Sequence, residues 1–211
     1  MPMKQDELRL FSVSSIIFNL SQKVSMKRIS PYFITLAILI IVLTVSCSGL
    51  KGAALSRAVS AAEINLTDHT GQPFQLSSQA GKVVLVFFGF SNCVNECPAT
   101  LAVIRLALET LGNASKNVAV VMVSTDPAND TPQSMKEFME KFNPAFLGLL
   151  GTPDELTKTW QDYGVVVLDD GETHSSLTYV VDKKGNLRET FSPDTSSDDI
   201  AADLKVLLAE N

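Results

Sequence analysis

The sequence predicts a single α/β domain over residues 63–211, with a central mixed sheet flanked by helices. Two runs, residues 83–88 and 118–123, are apolar at every position, which is typical of strands that helices bury on both faces. Each run is followed by a segment whose apolar residues recur at helical spacing. The length of this segment suits one domain of ~100–150 residues with a single core.

The first half of the domain predicts a hairpin, a strand and a helix. Residues 64–66 and 74–76 flank turn-forming residues at 68–71, which predicts an N-terminal β-hairpin. The apolar strand at residues 83–88 comes next, and apolar spacing predicts a helix over residues 98–111.

The second half begins with the apolar strand at residues 118–123. Thr131 and Pro132 have the residue types of a helix cap and first helical position, so a second helix is expected there. Residues 146–150 predict a short strand, and another helix is expected from residue 153 through Trp160.

The C-terminal part predicts a β-hairpin and a last helix. Residues 177–181 and 187–191 are strand-like and are joined by the turn-forming residues 182–186. Apolar spacing over residues 200–208 predicts the terminal helix. Strand, helix, strand, helix, hairpin and helix is a thioredoxin-like order.

Cys93 and Cys97 occupy the most informative place in the chain. They follow the strand at residues 83–88 and precede the helix predicted from residue 98. Open α/β sheets hold ligands at this end of their strands. Because unpaired N–H groups and the helix dipole favour negative charge there, we expect a thiol at this place to be pushed toward thiolate. If the first helical turn includes them, residues four apart share one face and both sulfurs could reach one ion.

A structural disulfide is the alternative reading of this pair, because exported domains commonly contain such bridges. A bridge that closes only three intervening residues would restrict the unfolded chain very little. The spacing therefore favours a functional pair.

The chain before the domain predicts export. Residues 26–46 have a basic start and an apolar core of about 14 residues, which is typical of a signal peptide and shorter than the ~20 residues of a spanning helix. We expect the native start at Met26 and a non-native extension over residues 1–25. Residues 43–47 resemble a bacterial lipobox, which implies lipidation of Cys47; an uncleaved membrane anchor is the alternative. Both place the domain on a membrane, facing the periplasm or another extracytoplasmic space.

Residues 47–62 are rich in Ala and Ser without periodicity and are predicted to be a tether. From residue 47 onward the chain carries 12 Lys and Arg against 21 Asp and Glu, a net charge of about −9. This acidic balance argues against nucleic acid as a partner, because such binding needs Lys and Arg to neutralise phosphates.

Several motifs together resemble the Sco (SenC) family of copper-handling proteins. They are the apolar run at residues 81–90, the Cys-x-x-x-Cys-Pro motif at residues 93–98, the Ser-Thr-Asp-Pro run at residues 124–127, and His174 eight residues before Asp182. The resemblance extends from about residue 64 to the C-terminus. It departs from the family at residues 94–95, where Val-Asn replaces Pro-Asp, and at Thr173, where Asp is usual.

This resemblance implies a thioredoxin fold and copper, as Cu(I) or Cu(II), held by Cys93, Cys97 and His174. It also implies delivery to the dinuclear copper centre of cytochrome c oxidase, or to another cuproprotein. The donor chemistry agrees, because thiolates suit Cu(I) and imidazole also suits Cu(II). Structural zinc normally takes four protein ligands, which the domain does not offer in sequence.

A thiol–disulfide oxidoreductase is the second hypothesis. Such a protein would reduce the cysteines of its partner, would need Cys93 and Cys97 but not His174, and could be recharged by a thioredoxin-like reductant. The two roles exclude each other at any moment, because an oxidised pair cannot bind copper.

Five other polar or apolar positions have competing interpretations. His69 lies in the predicted hairpin turn, so we expect it to be exposed to solvent. Asp126 and Asp130 follow a buried strand, where they either tune the site or cap turns and the next helix. Met135 and Met139 have helical core spacing, which favours packing over copper ligation.

Overall fold

The computed structural model describes residues 49–168 and 173–210. The predicted extension at residues 1–25, the predicted signal or anchor at residues 26–46 and Cys47, the predicted lipidation site, lie outside these ranges. Within the described ranges, none of the helices has the length and apolar character needed to cross a membrane.

Ten strands, four α-helices and two short 3-10 helices, Leu76–Gln79 and Gly112–Asn117, make up the regular structure of the described residues. The strands are β1 (Ala53–Ser60), β2 (Asn65–Asp68), β3 (Pro73–Gln75), β4 (Val83–Gly89), β5 (Val118–Ser124), β6 (Leu147–Leu150), β7 (Val167–Leu168), β8 (Thr173–His174), β9 (Thr178–Val181) and β10 (Asn186–Phe191). The helices are α1 (Glu96–Leu111), α2 (Pro132–Glu140), α3 (Pro153–Asp162) and α4 (Ser197–Ala209).

Eight strands form one mixed sheet in the order β1-β10-β9-β4-β5-β6-β2-β3. The β4–β5 and β5–β6 pairs are parallel, whereas β9 runs antiparallel to both β4 and β10. Strands β7 and β8 form a separate two-stranded ribbon. The predicted mixed sheet flanked by helices, with the N-terminal hairpin β2–β3, is therefore confirmed.

Strand β4 shows why the apolar run predicted a strand covered on both faces. Val83, Leu85 and Phe87 enter a cluster with side chains of α1, α2 and α4. The alternate residues of β4 enter a second cluster with α3 and the N-terminal hairpin. Burial of each such side chain contributes roughly 1.5–3 kcal/mol. The end of β4 is thus a rigid base for the segment that follows it.

The predicted helix starts at Thr131 and Thr152 are confirmed. Each threonine accepts a hydrogen bond from the third helical N–H in a capping box, with proline next in the chain. In contrast, Asn95 at the start of α1 makes no side-chain cap hydrogen bond. The N-terminal N–H groups of α1 are therefore open to other acceptors.

The prediction of a tether over residues 47–62 is wrong for Ala53–Ser60. These residues form β1, which pairs antiparallel with β10 and becomes the outer strand of the sheet. All eight of them are exposed, so β1 lacks the apolar alternation that reveals a strand with one buried face. Backbone hydrogen bonds to β10 hold it in place.

The expectation that His69 is exposed is also wrong, since its side chain is buried. Its ring Nδ1 accepts a hydrogen bond from the backbone N–H of Gly148 at 3.0 Å. The backbone N–H of His69 in turn donates to the Gly148 carbonyl at 2.8 Å. Because β2 pairs with β6 as well as with β3, the turn packs onto the sheet instead of projecting into solvent. His69 is a structural residue of this junction.

Candidate metal-binding site

The two cysteines lie where β4 gives way to α1. Strand β4 ends at Gly89, and α1 begins at Glu96, two residues before the predicted start. Cys93 is in the connecting loop, whereas Cys97 is within the first helical turn. The condition that the first helical turn includes both cysteines is therefore met for Cys97 alone.

The sulfur of Cys93 accepts a hydrogen bond from the backbone N–H of Cys97 at 3.4 Å. The Cys93 sulfur thus accepts from an N–H group at the N-terminus of α1, where the Asn95 side chain provides no cap. Both cysteines are free thiols, and their exposure differs: Cys93 is half-buried and Cys97 is fully buried. The pair consequently has one accessible sulfur and one enclosed sulfur.

Burial raises the pKa of the Cys97 thiol well above its usual range, and the neighbouring Cys93 and Glu96 act in the same direction. The expectation that a thiol at the helix N-terminus is pushed toward thiolate is therefore wrong for Cys97. Its enclosure is tight, because a Cβ added at Gly89 would stand 2.9 Å from the Cys97 sulfur. Desolvation of the anion outweighs the backbone hydrogen bond with Phe90, which acts in the opposite direction on the pKa.

His174 reaches the site from β8, where it pairs with Val167 of β7. Its ring makes edge contacts with Phe87 and Phe90, with centroid distances of 6.3 and 6.1 Å. Its Nδ1 is 3.1 Å from the carbonyl oxygen of Ser175. Because a carbonyl oxygen only accepts, Nδ1 carries the proton of the neutral ring, and Nε2 keeps the lone pair that a metal ion would use.

Cys93 and His174 line one open pocket of about 570 Å³. The remaining lining residues are Phe90, Asn92, Val94, Asn95, Glu96 and Ser176. Cys97 is connected to this pocket through its hydrogen bond to Cys93. Among residues 49–168 and 173–210, no three His, Cys, Asp or Glu side chains are close enough together to hold a metal ion. The fold thus brings imidazole and thiol to one pocket without closing a three-ligand site.

Asp130 fixes the loop that carries Cys93. Its Oδ1 accepts hydrogen bonds from the N–H and the hydroxyl of Ser91 at 2.9 and 2.6 Å, and its Oδ2 accepts from the hydroxyl of Ser124 at 2.6 Å. The carboxylate therefore ties the loop to the end of β5. Asp126 instead accepts from Asn129 and stabilises its own turn. Asp130 therefore fits the interpretation that it tunes the site, whereas Asp126 fits the interpretation that it stabilises a turn.

Sequence reasoning missed the contacts that hold His174 near the cysteines. Phe87 belonged to the predicted strand and Phe90 to the apolar run at residues 81–90, and neither pattern indicated the contact that both make with the imidazole. Ser176 donates a hydrogen bond to Glu96, 80 residues away in the chain. No local pattern encodes a contact over that separation. Met135 and Met139 are buried core residues, as their spacing predicted.

The SCO1/SenC family model matches residues 53–209 of this chain. The chain belongs to the SCO1/SenC family. That match begins at β1, in agreement with the strand observed where a tether was predicted. It also confirms the family resemblance seen in the sequence.

Individual relatives agree with this assignment. A SCO2-like protein of Rickettsia prowazekii is 31% identical over 144 residues, which cover 64% of this chain and 70% of that protein. The copper-bound structure of Bradyrhizobium japonicum ScoI is 33% identical with a TM-score of 0.63, covering 71% of this chain and all of that one. The apo Sco1 structure from Thermus thermophilus is 35% identical with a TM-score of 0.69, covering 77% of this chain and 99% of that one. The SCO1/SenC domain described here thus has the thioredoxin-like fold of these relatives.

Proposed function

We propose that this SCO1/SenC protein handles copper, binding one ion through Cys93, Cys97 and His174. The observation that carries the proposal is the shared pocket of Cys93 and His174, together with the hydrogen bond from the Cys97 N–H to the Cys93 sulfur. Copper-bound ScoI from Bradyrhizobium japonicum supports the choice of metal. Closure of the site requires the imidazole and the two sulfurs to converge on the ion.

The donor set of this pocket fits copper. Two thiolates provide soft ligands for Cu(I), and the Nε2 lone pair of His174 adds a ligand that Cu(II) accepts equally well. The half-buried sulfur of Cys93 gives an incoming ligand access to the ion. Release then proceeds by ligand exchange without change of oxidation state: each bond from copper to an acceptor thiolate replaces a bond to Cys93 or Cys97, and the thiolates left behind take up protons.

We further propose that the acceptor is the copper-bearing subunit of cytochrome c oxidase, at its dinuclear copper site. The basis is the family resemblance of the Cys-x-x-x-Cys-Pro motif and His174. Residues 26–46 would export the domain, and Cys47 would carry the lipid that holds it at the membrane. A tethered domain of this kind would meet a membrane-bound acceptor at high effective concentration.

Anaerobic titration of the full, reduced chain with copper tests the ligand set. We expect one copper per chain and a thiolate-to-copper charge-transfer band in the Cu(II) form. Loss of an outer hydrogen-bond partner of a ligand costs about 10–100-fold in metal affinity, and loss of a ligand should cost more. Cys93→Ser and His174→Ala should therefore lose at least that much, and Asn92→Ala, in the same pocket, serves as control. Unchanged affinity in His174→Ala would contradict the proposed ligand set.

Thiol–disulfide exchange is the second candidate, and the unequal exposure of the thiols favours it. Accessible Cys93 would attack a partner disulfide to form a mixed disulfide, and Cys97 would then attack Cys93 and release the reduced partner. A thioredoxin-like reductant would restore the dithiol. In this case Cys97→Ser should trap the mixed disulfide, and His174→Ala should keep full exchange activity. Loss of exchange in His174→Ala would count against this role.

A further inference from the structure

The backbone of His174 is attached to the fold through the β7–β8 ribbon. The β7–β8 ribbon pairs His174 with Val167, and it lies outside the eight-stranded sheet. Ser175 extends the same attachment: its N–H donates to the Val166 carbonyl at 3.2 Å, and its hydroxyl accepts from the Val166 N–H at 3.3 Å. These bonds fix His174 relative to β7. They do not fix it relative to the cysteines, which are carried by α1 and the loop before it.

Among the described residues, one hydrogen bond links the segment that carries His174 to the helix that carries Cys97. The hydroxyl of Ser176, two residues after His174, donates to Oε2 of Glu96 at 2.5 Å. Glu96 is the first residue of α1 and immediately precedes Cys97. Both residues line the pocket that contains Cys93 and His174. The bond therefore bridges the His174 segment and the cysteine helix within the lining of the pocket.

We propose that the Glu96–Ser176 hydrogen bond is a positioning contact that holds the His174 segment at the cysteine pocket and thereby governs how readily the imidazole joins and leaves bound copper. This inference rests on the proposed copper site. Neither residue needs to touch the ion. Glu96 and Ser176 act through the placement of His174, and the edge contacts of the ring with Phe87 and Phe90 hold the ring itself.

The chemistry of the pair sets the size of the effect. A hydroxyl that donates to a carboxylate forms a charge-assisted bond, which is stronger than a bond between neutral groups. Glu96 is exposed, so water competes for the same oxygen. Loss of a hydrogen bond of this kind should change the equilibrium between the docked and undocked segment by about 3- to 10-fold. That range is large enough to alter ligand exchange and small enough to leave the fold intact.

Four variants separate the bond from the charge. Ser176→Ala removes the donor and keeps the Glu96 charge, whereas Glu96→Ala removes both acceptor and charge. Glu96→Gln removes the charge but keeps an amide oxygen that accepts from Ser176, and Ser176→Thr keeps a hydroxyl. If the contact acts through the hydrogen bond, the two conservative variants restore most of what the two alanine variants lose.

Two measurements report on the bond. In the metal-free full chain, hydrogen–deuterium exchange of the amides at residues 174–177 should accelerate about 3- to 10-fold in Ser176→Ala and Glu96→Ala, and much less in the conservative variants. In the Cu(I)-loaded chain, transfer of copper to a Cu(I) chelator should accelerate by a similar factor in the alanine variants. The double alanine variant should match the single ones, because both remove the same bond.

The outcomes distinguish this inference from the copper proposal. Exchange and transfer rates of Ser176→Ala equal to those of the unmodified chain would overturn the inference, as would Glu96→Gln behaving like Glu96→Ala. If the unmodified chain binds no copper but the exchange pattern holds, the positioning role of Glu96 and Ser176 stands and the copper proposal fails. If the chain binds copper and the exchange pattern is absent, the inference alone fails.

Discussion

Two acidic groups of this protein, Cys97 and Glu189, are fully buried, yet they belong to regions with different roles. Burial is the main cause that raises the pKa of each. Each is packed against a glycine: an added Cβ at Gly89 would stand 2.9 Å from the Cys97 sulfur, and one at Gly52 would stand 2.6 Å from Oε2 of Glu189. Burial thus disfavours the charged form of both groups.

The surroundings of the two groups differ. Cys97 adjoins the half-buried Cys93 and, through it, an open pocket. Neither carboxyl oxygen of Glu189 has a hydrogen-bond partner among the described residues, and its neighbour Asp203 on α4 accepts from the N–H groups of Lys51 and Gly52 at 2.6 and 2.8 Å. The segment before β1 therefore closes over the carboxyl pair. A buried acid next to an accessible partner can exchange ligands, whereas a sealed one affects only stability and its dependence on pH.

The largest effect is expected from Glu189→Gln, which keeps the shape and removes the titration. Burial and Asp203 raise the pKa of Glu189 from 4.5 to about 8, while Arg188 opposes this shift. Between these values the folded chain holds a proton that the unfolded chain has lost. The contribution of this proton to the free energy of unfolding is complete below pH 4.5. It falls as the pH rises toward 8, by up to about 1.4 kcal/mol per pH unit. The free energy of unfolding of Glu189→Gln should not show this decline with pH.

Urea unfolding of both proteins from pH 5 to pH 9 measures the difference. The free energy of unfolding of Glu189→Gln should increasingly exceed that of the unmodified chain as the pH rises. Glu140→Gln, at an exposed position on α2, should follow the unmodified chain. Parallel curves for the unmodified chain and Glu189→Gln would mean that Glu189 is ionised in the folded protein.

The second effect concerns the cysteine region. In the reduced, metal-free chain, the half-buried Cys93 should be alkylated on the order of 100-fold faster than Cys97, because Cys97 is enclosed and burial raises its pKa. Peptide mass spectrometry after timed exposure to iodoacetamide measures both rates. In urea the two rates should converge. Equal rates in the folded chain would remove the asymmetry on which the comparison depends.

The sequence anticipated the features of both regions that have local causes. The apolar run in β4 predicted its burial on both faces, and Thr131 before a proline predicted the start of α2. It did not reveal β1, because the residues of this strand are all exposed and backbone hydrogen bonds to β10 hold it. The sealing of Glu189 depends on β1 and the segment before it, so this carboxyl could not be predicted to be buried.

The cysteine region was anticipated in the same partial way. The spacing of Cys93 and Cys97 after a strand indicated a site, and the resemblance added His174. The outcome at Cys97 depended on how tightly the core closes around its sulfur, which no residue pattern reports. The contact of Glu96 with Ser176 depends on the packing of the whole domain for the same reason.

Gly89→Ala tests the tight packing against Cys97 and should have the third-largest effect. The new Cβ would also stand 2.9 Å from the ring of Phe87, in the buried strand β4. Overpacking of this kind typically costs 1–3 kcal/mol, and we expect about that loss in the free energy of unfolding. Displacement of the Cys97 sulfur should weaken copper binding as well. Gly49→Ala is the control, since its Cβ would meet nothing within 4 Å. Unchanged stability and copper affinity would show that the sulfur moves aside freely.

Gly52→Ala is the matched change at the sealed carboxyl and should have the smallest effect, at most about 1 kcal/mol. The new Cβ would approach both Glu189 and the Phe191 ring, but Gly52 precedes an exposed edge strand that can move outward. We therefore expect faster hydrogen–deuterium exchange at residues 51–60 and no change in copper affinity. Gly49→Ala should leave both unchanged. A loss of copper affinity in Gly52→Ala would mean that the two buried acids are coupled through the sheet, and that the sealed region also shapes the site.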